Sequence, residues 1–148
     1  MIRACLAAFL MMLAAPALAQ PGSAPTIPQS FLMQPAELAA TLKSGPKPVI
    51  LQVGFKMMYD EAHIPGAIYA GPGGKDDGIA ALKTAAQSID KGSQVVIYCG
   101  CCPWEHCPNI AAAWRTLNEL GFTRLKVLYI ANNFGADWVE KGFPVVKG

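Results

Sequence analysis

The sequence predicts an α/β domain built on a central, mainly parallel sheet with helices on both faces. Three observations carry that expectation. Strand-length apolar runs alternate with segments of helical periodicity from about residue 35 onward. The best strand candidates, Val49-Ile50-Leu51-Gln52-Val53 and Val95-Val96-Ile97-Tyr98, are apolar almost throughout, the pattern of strands covered on both sides. The chain has 148 residues, of which 53% are hydrophobic, enough for one domain with a real core.

The elements follow in order. Pro35 to Lys43 predicts a short helix, stopped by Ser44-Gly45-Pro46. Val49 to Val53 is the first strong strand. Ala67 to Ala70 is a brief second one, leading into the loop Gly71-Pro72-Gly73-Gly74. Ile79, Leu82, Ala86 and Ile89 recur at helical spacing, with Lys91-Gly92 as a stop. Val95 to Tyr98 is the strongest strand signal, with Cys99 at its exit. Ile110, Ala113, Trp114 and Leu117 mark another helix, closed by Gly121. Leu125 to Ile130 reads as a strand and Asp137 to Lys141 as a last helical turn. In such sheets ligands bind beyond the carboxyl ends of the strands, which is where Cys99 stands.

The N-terminus has a different character. Met1-Ile2-Arg3 gives a positive start, Ala4 to Ala15 is an unbroken apolar run, and Ala17-Leu18-Ala19 offers a processing site. These features predict a signal peptide over residues 1–19, cleaved after Ala19, and a periplasmic or secreted product. The run is short for a bilayer span and no stop-transfer pattern follows, so stable membrane insertion after cleavage is not expected. Cys5 lies inside the signal with no apolar run before it, which argues against a lipid anchor. Residues 20–30, with Pro21, Gly22, Ser23, Pro25 and Pro28, read as a leader, and residues 31–148 as the domain. A net charge of +2 with 15% charged residues and no like-charge block excludes a nucleic-acid or acidic-membrane surface.

Cleavage leaves four of the five cysteines, Cys99, Cys101, Cys102 and Cys107. Scaffold disulfides spread along a chain to close long loops; these crowd into one short segment, which points to a chemical site.

Three segments resemble the rhodanese family. Tyr59-Asp60-Glu61-Ala62-His63-Ile64-Pro65-Gly66-Ala67 is similar to its "Tyr-x-x-Gly-His-Ile-Pro-Gly-Ala" signature, with Ala62 in place of glycine. Val95 to Cys99 resembles the strand that delivers the family's active-site cysteine. Trp138 with Gly142-Phe143-Pro144-Val145 resembles the closing "Trp…Gly-Tyr-Pro-Val". The resemblance implies the rhodanese-like fold and sulfur transfer through Cys99. By residue chemistry alone, His63 is expected to be a structural hydrogen-bonding residue, and Trp138 and Phe143 to cover the edge of the sheet. Departures are also plain: Gln52, Gly54 and Met58 stand where the family has Asp, Arg and often Glu. That change reads as the loss of a charged support network.

The loop Cys99-Gly100-Cys101-Cys102-Pro103-Trp104-Glu105-His106-Cys107-Pro108-Asn109 departs most. It is longer than the family's "Cys-x-x-Gly-x-Arg-Ser" and holds no Arg or Lys; Arg115, further along the helix, is the nearest substitute. In the family the loop's backbone amides point at the sulfur, and the resemblance implies that these amides and the following helix end favour a thiolate at Cys99. The helix begins either with Asn109 as cap or with Pro108 as its first residue and Cys107 as cap. Either way Cys107 sits at the positive end and is a second nucleophile candidate. Cys101 and Cys102 are possible resolving thiols, Trp104 a hydrophobic plug, and Glu105, His106 and Asn109 loop support.

The leading expectation is a rhodanese-like sulfurtransferase or persulfide-handling protein with Cys99 as sulfur acceptor. Its partners would be a small sulfur donor or a protein thiol or persulfide, with no cofactor. The alternative is a thiol–disulfide or thiophilic-metal module, with copper or zinc on Cys99, Cys101, Cys102, His106 and Cys107. The spacing is not a paired Cys-x-x-Cys, and Cys101 and Cys102 are too close in sequence to share one ion easily.

Overall fold

The computed structural model describes residues 27–148. The predicted signal peptide, its cleavage site and most of the leader lie outside the described residues. Five strands form one sheet, all parallel, in the order β1-β5-β4-β2-β3. They are β1 (Leu32–Met33), β2 (Val49–Gln52), β3 (Ala67–Tyr69), β4 (Gln94–Tyr98) and β5 (Arg124–Leu128). The helices are α1 (Pro35–Ser44), α2 (Lys56–Glu61), α3 (Asp76–Ala86) and α4 (Pro108–Glu119), followed by a wide helical turn at Gly135–Val139. No helix among the described residues is long and apolar enough to cross a membrane.

Two apolar layers cover the two sheet faces. On one, Leu82 and Ala86 of α3 and Ile110, Ala113 and Leu117 of α4 pack with Leu51, Val95, Ile97 and Val127. On the other, Leu38 and Ala39 of α1 join Ile50, Val96, Tyr98, Leu128 and Trp138. The central strand β4 feeds both layers alternately, and Val95 to Ile97 have no exposed surface; hence its unbroken apolar run.

Sequence expectation and structure differ at identifiable places. Ile27, within the stretch read as a leader, is buried in the first layer, so packing begins before residue 31. Trp138 does not cap an edge. It is wholly buried inside the second layer, stacked with Phe134 and tilted against Phe143, and its indole N–H donates to the Pro144 carbonyl at 2.9 Å. His63 stacks on Tyr59 with ring centroids 3.7 Å apart, and its Nδ1 lies 2.7 Å from the Tyr59 carbonyl oxygen. It has a structural setting.

The loop after β3 is held close to α3 by a missing side chain. A Cβ at Gly78 would stand 2.0 Å from the Pro72 carbonyl oxygen. Backbone on one side and helix on the other leave no room to yield. We expect Gly78→Ala to destabilise the fold by about 1–3 kcal/mol, the usual scale of overpacking. Urea denaturation checks this, and unchanged stability would show that the loop can move away freely.

Candidate active site

Cys99 follows directly on β4 and is buried. Its position is set by the neighbouring strand. β2 pairs with β4 so that Gln52 faces Tyr98, and the Gln52 side-chain amide donates to the Cys99 carbonyl at 3.3 Å. Gln52 therefore has a supporting role of its own: it braces the cysteine's backbone. Gly54 shows why the family's Arg has no place here. A Cβ on it would lie 2.8 Å from the Cys99 carbonyl oxygen and 3.0 Å from its sulfur. Any side chain at 54 would enter the space the cysteine occupies.

The loop leaves Cys99 through Gly100, whose φ of +91° favours glycine. Phe134 packs against this point, and its N–H donates to the Gly100 carbonyl at 2.9 Å. Trp104 opens a short 3-10 turn, Trp104–His106. It is buried in the first layer, tilted toward Tyr129, with its N–H on the Ile130 carbonyl at 2.9 Å. It works as a hydrophobic plug, tying the loop to the end of β5. Glu105 and His106 are exposed on the same turn.

Cys107 is the cap of α4 and Pro108 its first residue, which decides between the two starts the sequence allowed. Asn109 thereby turns inward. It is buried; its Nδ2 donates to the Cys99 sulfur at 3.2 Å, and its Oδ1 accepts from the Gly74 N–H at 2.7 Å. Gly73 has to be glycine for the same reason, since a Cβ there would meet the Asn109 carbonyl oxygen at 2.5 Å. Sequence reasoning placed Asn109 as loop support but missed this clamp. The signal was the pair Gly73-Gly74 in the loop after β3.

All four described cysteines are free thiols. The Cys99 and Cys101 sulfurs are 3.2 Å apart, as are those of Cys101 and Cys102. The Cys99, Cys101 and Cys107 sulfurs all lie within 4.8 Å of one another. Of the five residues the sequence offered as metal ligands, these three converge. Cys102 touches the group at its edge, and His106 stands outside it.

This packing sorts the protons. A hydrogen bond from Cys107 is the largest influence lowering the Cys99 thiol, with burial opposing it. The Cys101 backbone N–H, Asn109 and the Cys101 S–H add to the lowering, and the thiol comes down from 9.0 to about 6. Cys107 is held well above the ordinary thiol range, first because it donates to Cys99 and then by burial. Of the two thiols at the strand exit and the helix end, the contact between them favours the charge on Cys99 and disfavours it on Cys107. Burial, then hydrogen bonds with Cys102 and Cys99, push Cys101 up to about 12. The site gathers one buried thiol with a lowered pKa and hydrogen-bond donors around it.

Comparison with known proteins places the chain in a family. Residues 34–131 match the family described as the rhodanese-like domain, and the chain belongs to it. Among solved structures, a Bacillus halodurans protein, BH2092, is 25% identical with a TM-score of 0.63, covering 80% of this chain and 77% of its own. The rhodanese-like domain of an Anabaena sp. protein is 23% identical with a TM-score of 0.59, covering 80% of each chain. The thiosulfate sulfurtransferase of Pseudomonas aeruginosa is 23% identical with a TM-score of 0.55; the match covers 79% of this chain but 20% of that one. No curated protein matches.

The arrangement predicts a pH profile. The Cys99 value in the folded protein lies below the ordinary 9.0. The stabilisation its donors give the thiolate is therefore complete above that ordinary value and is lost as pH falls through about 6. Alkylation of Cys99 in reduced, chelator-treated protein should rise through a midpoint near 6. Cys107→Ala should move that midpoint up by about one to two units, because a hydrogen bond to a charged group is worth about 1.5–3 kcal/mol. A wild-type midpoint in the ordinary thiol range would refute the assignment of charge.

Proposed function

We propose that this chain is an exported sulfurtransferase in which Cys99 accepts sulfur from a persulfide donor and passes it to a thiol. The observation that carries the reading is the convergence of polar groups on one buried sulfur at the end of β4: Asn109 Nδ2 and the Cys101 sulfur, each at 3.2 Å, with the Cys107 sulfur within 4.8 Å. In the forward step the Cys99 thiolate attacks the outer sulfur of R–S–SH. The S–S bond breaks, R–S⁻ leaves and takes up a proton, and Cys99 becomes a persulfide. An acceptor thiolate then attacks that outer sulfur and returns Cys99 to its thiolate.

The donor class follows from charge. The loop from Cys99 to Asn109 contains no Arg or Lys, and Arg115 is exposed on α4. A dianion such as thiosulfate would meet N–H and S–H dipoles but no cation in the loop. Losing a charge-assisted hydrogen bond costs about 1.5–3 kcal/mol, or roughly tenfold to a hundredfold in grip. Neutral or protein-borne persulfides do not carry that penalty. A thiol–disulfide role is the second reading, favoured by the 3.2 Å contact between the Cys99 and Cys101 sulfurs. Intact mass separates the two: a gain of one sulfur atom after donor treatment supports transfer, and a loss of two hydrogens supports the disulfide.

Four outcomes are expected. Cys99→Ser abolishes sulfur transfer, Cys101→Ser only weakens it, and a low-molecular-weight persulfide is used about tenfold to a hundredfold more efficiently than thiosulfate at fixed ionic strength. Turnover by Cys99→Ser refutes the nucleophile, and a preference for thiosulfate refutes the donor class. Separately, protein recovered from its native compartment should begin at Gln20. Sequencing that begins at Met1 would remove the exported part of the reading.

A further inference from the structure

Sulfur transfer through Cys99 uses one thiolate and its donors, and it leaves unexplained why three thiols from different parts of the backbone meet. Cys99 leaves a strand, Cys101 sits in the loop, and Cys107 caps a helix. We infer that Cys99, Cys101 and Cys107 form a three-coordinate, all-sulfur site for a monovalent soft metal ion, copper(I).

The dimensions fit. A thiolate binds such ions at about 2.3 Å, so three sulfurs in a plane around one ion stand roughly 4 Å apart. Here all three lie within 4.8 Å of one another, and the Cys99–Cys101 edge is 3.2 Å. Adjustments of under about 1 Å close the triangle, within reach of side-chain rotation alone. Cys99 and Cys107 are buried where β4 ends and as the cap of α4, which fixes their spacing; the half-buried Cys101 lies at the open side, where an ion can enter.

The chemistry selects the ion. The converging donors are all sulfur, with His106 and Glu105 exposed on the turn beyond them; soft thiolates select copper(I) and zinc among others, so ligand number decides between them. Structural zinc asks for four ligands in a tetrahedron. Cys102 does not complete one: its sulfur reaches that of Cys101 at 3.2 Å but lies outside the converging group. Three thiolates with a monovalent ion leave net negative charge, and N–H groups are already aimed at it. Asn109 Nδ2 donates to the Cys99 sulfur at 3.2 Å, and Cys107 sits as the cap of α4, whose N-terminal end favours negative charge. Such outer hydrogen bonds hold and tune metal-bound sulfur. On binding, Cys101 and Cys107 release their protons to solvent, three copper–sulfur bonds form, and no oxidation state changes. A copper-loaded Cys99 has no free thiolate, so occupancy and sulfur transfer exclude one another.

The test is anaerobic titration of the reduced mature chain with copper(I) against a chromophoric copper(I) chelator, with X-ray absorption on the loaded protein. One copper per chain should resist the competitor, bound by three sulfurs. Cys101→Ser and Cys107→Ser should each weaken binding by at least about a hundredfold, the upper end of what losing even a supporting partner of a ligand costs. Cys102→Ser should change it by a few-fold at most. Loss of all copper to the competitor, or an effect of Cys102→Ser as large as that of Cys101→Ser, would overturn the site. So would tighter binding of one zinc(II) by four sulfurs. Because copper binding is read without any sulfur donor, the site can stand where the transferase reading fails, and the reverse.

Discussion

The pairing of β2 with β4, in the register that sets Gln52 against Tyr98, governs the geometry around the nucleophile. The Val53 N–H extends the ladder by donating to the Tyr98 carbonyl at 2.8 Å. The two chains therefore leave the sheet side by side, and the next residues, Gly54 and Cys99, must share one space. Only a residue without a side chain fits opposite the sulfur, and the strand's last side chain, Gln52, reaches the cysteine's carbonyl. The arrangement has a cost. Gln52 Oε1 is buried without a partner, a penalty of about 1–3 kcal/mol, accepted at the point where Cys99 is fixed. Such local conflicts concentrate at functional sites.

Burial alone would keep every thiol here neutral. The Cys99 sulfur is nonetheless the one that ionises, because several weak donors act together against a single desolvation penalty. A value lowered from 9.0 to about 6 amounts to about 4 kcal/mol in favour of the thiolate. Each hydrogen bond to a charged group is worth about 1.5–3 kcal/mol, so two or three of them outweigh the burial that opposes them. The same bonds act in the opposite sense on their donors: Cys107 and Cys101 become harder to ionise because Cys99 is already charged. The cluster behaves as one group with one charge and shared protons, and titrates accordingly.

How much of this could be read from the sequence depends on how local the signal is. β4, α3 and α4 were legible because burial on both faces, or a repeated apolar stripe, leaves a pattern in consecutive residues. Cys99 was legible because the strand ends on it. α2 was not: its six residues bury no side chain, so no stripe exists. β1, at two residues, spans a single strand period, too short for an alternation to show. The clamp of Asn109 on Gly74 joins residues 35 apart, and the contact of Gly54 with Cys99 joins two strands. Neither can be seen without the strand order. Cys107 illustrates a subtler failure. A helix end does favour a thiolate, and Cys107 does cap α4, but the neighbouring Cys99 sulfur raises its pKa, and that neighbour lies eight residues away in sequence.

A site that stabilises negative charge with dipoles alone differs in kind from one that uses a cation. Dipoles of N–H and S–H groups fall off quickly with distance, so they favour charge at the sulfur they touch and give little to charge further out. An arginine would extend that favour to a bulky anion's outer oxygens. The loop from Cys99 to Asn109 has none, and Gly54 leaves no room for one beside the sulfur. Its occupants should then be those that keep charge compact and close to Cys99. A terminal sulfur atom bonded to Cys99 meets that condition, and so does a small monovalent ion drawn in among the three thiols. Both occupants would suit the same arrangement, in which sulfur and N–H dipoles, without a cation in the loop, surround Cys99.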